Sequence, residues 1–187
     1  MDVERFYLKF FTREAGVDEA CLIPIFHDWI RLKSLPGTLI DVADYRHVPE
    51  GPGIMLISFD INSAMEHGGG QFGLSAQRKL GAEGSHPEKI VSLVKRMARF
   101  GTLLEEDSRL AGSLALEGGK FHYCANDRLR LPNTAASFAA IQPDLQAAAA
   151  ALYGDQPVTV TRLENDPRER LTAVVEAAGP VAMAALL

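Results

Sequence analysis

Apolar residues recur along the chain in two rhythms, and each change of rhythm marks an element. Val3 to Thr12 gathers Phe6, Tyr7, Leu8, Phe10 and Phe11 into one short run, an aromatic density that predicts a strand. Leu22, Ile25, Phe26, Trp29 and Ile30 then follow at helical spacing. A helix is therefore expected from Glu19 to about Leu32, with Asp18 as its N-cap and Pro24 tolerated near its start. Leu35-Pro36-Gly37 ends it. Thr38 to Asp44 and Ile54 to Ile61 read as two strands around a loop punctuated by Pro49, Gly51, Pro52 and Gly53. Gly68-Gly69-Gly70 reads as a hairpin turn whose return strand is about Gln71 to Arg78.

The second half opens on Ser85-His86-Pro87-Glu88, a capping box with Pro in the first turn. Beyond it Ile90, Val91, Val94, Met97, Ala98 and Leu104 fall on one side of a helix, and Lys89, Lys95, Arg96 and Arg99 on the other. Leu114–Leu116 and Lys120–Ala125 suggest a hairpin around Gly118-Gly119, with a short extension through Arg128 to Leu131. A third helical region begins at Asn133 or Thr134 and carries Phe138, Ile141, Leu145 and Leu152, with Pro143 expected to kink or divide it. Val158–Leu163 and Leu171–Glu176 are final strands across Asn165-Asp166-Pro167, and the apolar tail Val181–Leu187 reads as a docked helical turn. A helix followed by a Pro-turned hairpin occurs twice, a faint internal pseudo-repeat. Because the strands fall mostly in hairpins, the expected fold is α+β: an antiparallel or mixed sheet with about three helices packed mainly on one face, in a single domain over 1–187.

Composition narrows the class. With 187 residues, 47% of them hydrophobic, the chain can bury a core without a disulfide or structural metal. Cys21 and Cys124 cannot make a disulfide framework and lie in apolar-patterned segments, which suits reduced thiols in a cytoplasm. Met1-Asp2-Val3-Glu4-Arg5 carries charges of both signs and has no signal-peptide character. No apolar run reaches the roughly 18 residues of a membrane span. The apolar tail and the generous hydrophobic fraction point to a homodimer.

The residues that could carry chemistry are few. Gly68, Gly70 and Gly73 match G-x-G-x-x-G, but no helix is predicted to follow and no acid lies about 20 residues on, so the turn reading is preferred over a dinucleotide site. His27, His47 and His67 lack the close ligand pairs of a metal site, and no metal or cofactor is implied. Asp41-Val42-Ala43-Asp44-Tyr45-Arg46-His47 leaves a strand end into a loop, where folds often place sites. Asp44 and His47 there offer a general acid–base pair. Tyr45, Arg46, Arg78 and Arg128 are the candidate ligand-binding residues, the arginines because a guanidinium forks onto carboxylate or phosphate. The basic helix face would suit nucleic acid, but a net charge of −5 argues against it.

Several runs carry a resemblance across the whole chain: Phe6-Tyr7-Leu8-Lys9-Phe10-Phe11, Leu22-Ile23-Pro24-Ile25-Phe26-His27, Ile40 to Pro49, Gly51 to Ile57, Gln77-Arg78-Lys79, Asn126-Asp127-Arg128 and Pro132-Asn133-Thr134. In them the chain resembles a family of uncharacterised bacterial proteins of similar length. The resemblance implies no activity and no catalytic residue. The residues themselves favour a cytoplasmic domain that binds a small anionic ligand or a protein partner. The rival is a small enzyme acting on a phosphorylated or carboxylated metabolite through Asp44 and His47. A third reading is a nucleic-acid adaptor using the basic face of the helix over 85–107.

Overall fold

In the computed structural model, residues 3–13, 16–49, 51–110 and 112–187 are described. Eight strands form one antiparallel sheet: β1 (Phe6–Thr12), β2 (Leu39–Asp44), β3 (Ile54–Ser58), β4 (Ile61–Glu66), β5 (Gly73–Arg78), β6 (Leu116–Ala125), β7 (Val158–Arg162) and β8 (Thr172–Ala177). Their order across the sheet is β2-β3-β4-β5-β1-β6-β8-β7. Three helices, α1 (Leu22–Leu32), α2 (His86–Glu105) and α3 (Ala135–Tyr153), cover one face. The fold is α+β, as the hairpin-rich pattern predicts.

Strand alternation explains why only one face is covered. In β1, Phe6, Leu8 and Phe10 point into the helix side with Leu74, Ala76, Phe121 and Tyr123 of the neighbouring strands, all nearly inaccessible. Tyr7, Lys9 and Phe11 take the opposite side. Helix α1 follows a single 3-10 turn, in which the Asp18 carboxylate accepts from the Ala20 N–H at 3.0 Å. It buries Leu22, Ile25, Phe26 and Trp29, and Trp29 meets Phe100 of α2 edge-on at 4.9 Å. At the start of α2 the Glu88 carboxylate takes both the N–H and the hydroxyl of Ser85 at 2.7 Å, as the capping box requires.

Four expectations need correction. The run Ile54 to Ile61 is two strands, because the chain turns at Phe59-Asp60 and the Ser58 hydroxyl caps that turn, accepting from the Ile61 N–H at 3.1 Å. Gly118-Gly119 is no hairpin turn. It is an irregularity within the continuous strand β6, where the β1 register shifts between Phe10 and Phe11. Gly118 donates its N–H to the Val181 carbonyl at 2.9 Å, and a Cβ there would stand 2.8 Å from that oxygen, so the glycine lets the C-terminal segment lie against the strand. Arg128–Leu131 forms turns, not a strand. Helix α3 is not divided at Pro143, since one element runs from Ala135 to Tyr153.

The tail docks as expected, with a 3-10 turn over Met183–Leu186 seated on α2 and Met183 and Leu186 buried. Ala182, Ala184, Ala185 and Leu187 of the tail stay exposed, Leu187 at 53%. Cys124 is buried and Cys21 half-buried, both as free thiols. Among the described residues no helix is long and apolar enough to cross a membrane. The pseudo-repeat has a spatial counterpart: β1 and β6 lie side by side at the sheet's middle, and each leads through a helix, α1 or α3, to a hairpin at one edge. The halves differ by β4 and β5, which intervene only on the first side.

Candidate functional site: the open face of the sheet

The strand face away from the helices is polar, and the register lays its side chains out in rows. One row runs Asn62, Gln77, Tyr7, Cys124 and Thr172; the next runs Met55, Ala64, Ser75, Lys9 and His122. Small side chains in the middle and loops at the ends make this face the floor of a groove of about 1790 Å³.

At one end the charges are spent within the protein. Lys9, 4% exposed, pairs with Glu66 at 2.9 Å and donates to the carbonyls of Gly68 at 2.6 Å and Gln71 at 2.8 Å. Glu66 in turn accepts from the Gly68 N–H. This latch fastens the glycine turn to the floor, and Gly69 and Gly70 adopt positive φ of 73° and 78° within it. A strand, β5, follows the turn, which is the hairpin arrangement and lacks the helix of a dinucleotide site. Nearby, Arg13 pairs with Glu117 at 2.7 Å and Lys120 with Glu176 at 3.2 Å. His122 sits between these cations with its ring 4.6 Å from that of Phe11. Burial first, then Lys120 and Lys9, hold its imidazole down to about 4, so it is neutral at pH 7.

The other end is different. Arg5 just before β1, Arg128 in the turn after β6 and Arg170 just before β8 all line the groove, and among the described residues none of the three has a carboxylate at ion-pairing distance. Arg170 stands over the Tyr7 ring, 5.7 Å from its centroid, and Arg128 donates to the Arg168 carbonyl. Burial pushes the Tyr7 phenol above its ordinary range, Cys124 adds to this, and Arg170 opposes it. The Thr172 hydroxyl lies 3.4 Å from the Cys124 sulfur. The carboxamides of Asn62, Gln77 and Asn126 line the same end, and the Oδ1 of Asn62 is buried without a partner. Among the described residues, the groove holds the cations of Arg5, Lys9, Arg13, Lys120, Arg128 and Arg170 against four carboxylates, in a chain whose net charge is −5.

The residues singled out in the sequence fall in three places. Arg128 lies in the groove. Asp44 is forked by Arg46, at 2.9 Å and 2.6 Å, and accepts from the Arg46 N–H at 3.1 Å. Those bonds hold the Asp44 carboxyl down to about 2, and they commit it to Arg46, not to His47. His47 is exposed with its ring 6.5 Å from that of Tyr45. Asp44, Tyr45, Arg46 and His47 stand outside the groove, although the loop they lead into contributes Gly51 and Pro52 to its wall. Arg78 faces the helix side, where its Nη2 donates to the Ser92 hydroxyl at 2.7 Å. The structure therefore does not gather Asp44, His47, Arg78 and Arg128 around one pocket.

The basic face of α2 is also divided. Lys89 is buried and paired with Glu4, Arg96 is half-buried in the field of Asp60 and Arg78, and only Lys95 and Arg99 stand in solvent. His67 pairs with Glu19 at 2.7 Å. No three His, Cys, Asp or Glu side chains gather to hold a metal ion among the described residues. The floor residues Tyr7, Lys9, His122 and Cys124 were hidden in runs that register only as strand. Their signal is the period of two: polar groups at alternate positions of two strands that turn out to be neighbours. Compared with known protein families, curated proteins and solved structures, the chain matches none.

Proposed function

We propose that this protein binds an anionic ligand in the groove on the open face of its sheet, with Arg5, Arg128 and Arg170 as the anion's seat. The observation that carries this reading is that the three arginines lack a carboxylate partner among the described residues of an acidic chain. Guanidinium groups brought together from three strand ends repel one another, and an anion relieves that repulsion while offering each a forked hydrogen bond. The polar floor beside them supplies hydrogen bonds to the rest of the ligand. The reading needs no acid–base pair, and it replaces Tyr45, Arg46 and Arg78 as binding residues by Arg5 and Arg170, keeping Arg128.

Thermal unfolding in the presence of succinate, citrate or phosphate tests it. A ligand at about a hundred times its Kd adds about 2.7 kcal/mol, which for a chain of this size raises the Tm by roughly 5–10 °C. The rise should vanish in Arg128→Ala/Arg170→Ala. No rise with any anion at millimolar concentration, or an equal rise in that variant, rejects the arginine seat.

A further inference from the structure

We infer that the groove's occupant is an extended acidic polypeptide segment lying across the strands, its carboxylates at Arg5, Arg128 and Arg170; this rests on the anion-binding reading above. Size is the first argument. Small-molecule pockets run to about 300–1,000 Å³, whereas this groove is about 1790 Å³ and continuous from Met55 on β3 to Thr172 on β8. That path crosses five inter-strand steps of about 4.8 Å, roughly 24 Å, the reach of about seven extended residues.

The chemistry of the floor is the second argument. Asn62, Gln77 and Asn126 each carry a donor and an acceptor, and among the described residues none of the three amide side chains has a hydrogen-bond partner. A peptide backbone presents the same alternation of donor and acceptor. A dicarboxylate only accepts and leaves the acceptor half of these amides unused, whereas a polypeptide answers both halves. Ala64 and Ser75 keep the middle of the floor low enough for a backbone to approach. Nucleic acid fits less well: single strands are held by stacking on free aromatic faces, and here Tyr7 lies under Arg170 while Phe11 is buried against His122. Among the described residues, the cations without a carboxylate partner, Arg5, Arg128 and Arg170, also cluster at one end of the groove and do not track its length.

The test is fluorescence anisotropy on the full chain, using a labelled peptide of about eight residues alternating Asp and Gly, with succinate, phosphate and a labelled oligo-dT of equal length as comparators. The peptide should bind at least about tenfold more tightly than succinate, a gap of about 1.4 kcal/mol. Arg128→Ala/Arg170→Ala should weaken the peptide at least about tenfold. Both arginines are exposed, so the fold survives the change. Asn62→Ala should weaken the peptide and leave succinate unchanged. If succinate or phosphate binds as tightly as the peptide, the polypeptide inference fails and the anion reading stands. If oligo-dT binds more tightly than the peptide, the occupant is nucleic acid and the inference fails. If no probe binds, both readings fail together.

Discussion

At the scale of single residues, the buried polar groups decide the most. Lys9 stands almost out of solvent against Glu66, whose side chain is 11% exposed. Removing one member of a buried pair leaves the other charge uncompensated, at about 3–5 kcal/mol. Lys9→Met should therefore lose that much in urea denaturation, and Lys9→Met/Glu66→Gln should recover a large part of it. Equal losses in the two variants would place the cost elsewhere. His86 is the second case. Its Nδ1 meets the Asp144 carboxylate at 2.9 Å and its Nε2 the Tyr123 hydroxyl at 3.0 Å. A carboxylate only accepts, so Nδ1 carries the proton, Nε2 accepts, and Tyr123 donates. Burial lowers the His86 pKa although Asp144 pulls it up, and burial likewise takes His122 down to about 4. Both imidazoles are thus harder to protonate folded than unfolded. Their contribution is complete above pH 6.5, the unfolded value, and is lost as the pH falls toward the folded values. His122 is partly open to solvent, so its share is discounted to on the order of 2 kcal/mol by pH 4.5, and His86 adds in the same direction. A denaturation midpoint that stays level from pH 6.5 to 5 would falsify the neutral-imidazole assignment.

Among the elements, helix α3 carries the clearest tension between sequence and structure. Pro143 removes one N–H from the helix interior, so the Ala139 carbonyl has no helical donor, yet the helix does not break. Both residues are exposed, and water takes the carbonyl, so the residual cost is smaller than the roughly 3 kcal/mol of a buried site. Pro143→Ala should stabilise the protein by about 1–2 kcal/mol, after subtracting the chain entropy that proline withholds from the unfolded state. In calorimetry that is a Tm rise of about 2–8 °C; a fall would mean that the ring packs usefully in α3. The helix itself was legible, but whether Pro143 divides it was not, because propensity alone cannot weigh thirteen good helix formers (Ala, Leu and Gln) against one proline. By contrast α2 was legible at both levels, its capping box and its stripe of Ile90, Val94 and Met97 agreeing. The β3–β4 turn was illegible for another reason: Phe59 and Asp60 interrupt the apolar run without a glycine or proline, and the bond that turns the chain comes from the Ser58 side chain. At Gly118-Gly119 the glycines announced a departure from regular strand, but whether it was a turn or a close approach depended on Val181, 63 residues away.

For the whole molecule, what the sequence could not convey is which strands become neighbours. Tyr7 and Cys124 share a row only because β1 pairs with β6, and Arg5, Arg128 and Arg170 share a groove end only because β8 joins β6 on the far side. The Asp44–His47 stretch, in contrast, was conspicuous because its polar groups were close in sequence, and closeness let Arg46 take the carboxylate. The sheet's edges raise the last whole-molecule question. At the β7 edge Thr159 and Thr161 face solvent, whereas the β2 edge carries Ile40, 52% exposed, beside the turn residue Phe59, 62% exposed, whose N–H bonds the Thr38 carbonyl at 2.8 Å. An edge with unpaired backbone and exposed apolar side chains is a template for a second strand, and a two-fold axis would pair β2 with its own copy. A homodimer has this edge to build on. Light scattering at about tens of micromolar should then give twice the 20.3 kDa of one chain. Ile40→Lys should return the single mass with the fold retained, since Ile40 is half exposed and lies outside the buried core. A native mass of one chain removes the dimer, and dimers unaffected by Ile40→Lys place the contact away from β2.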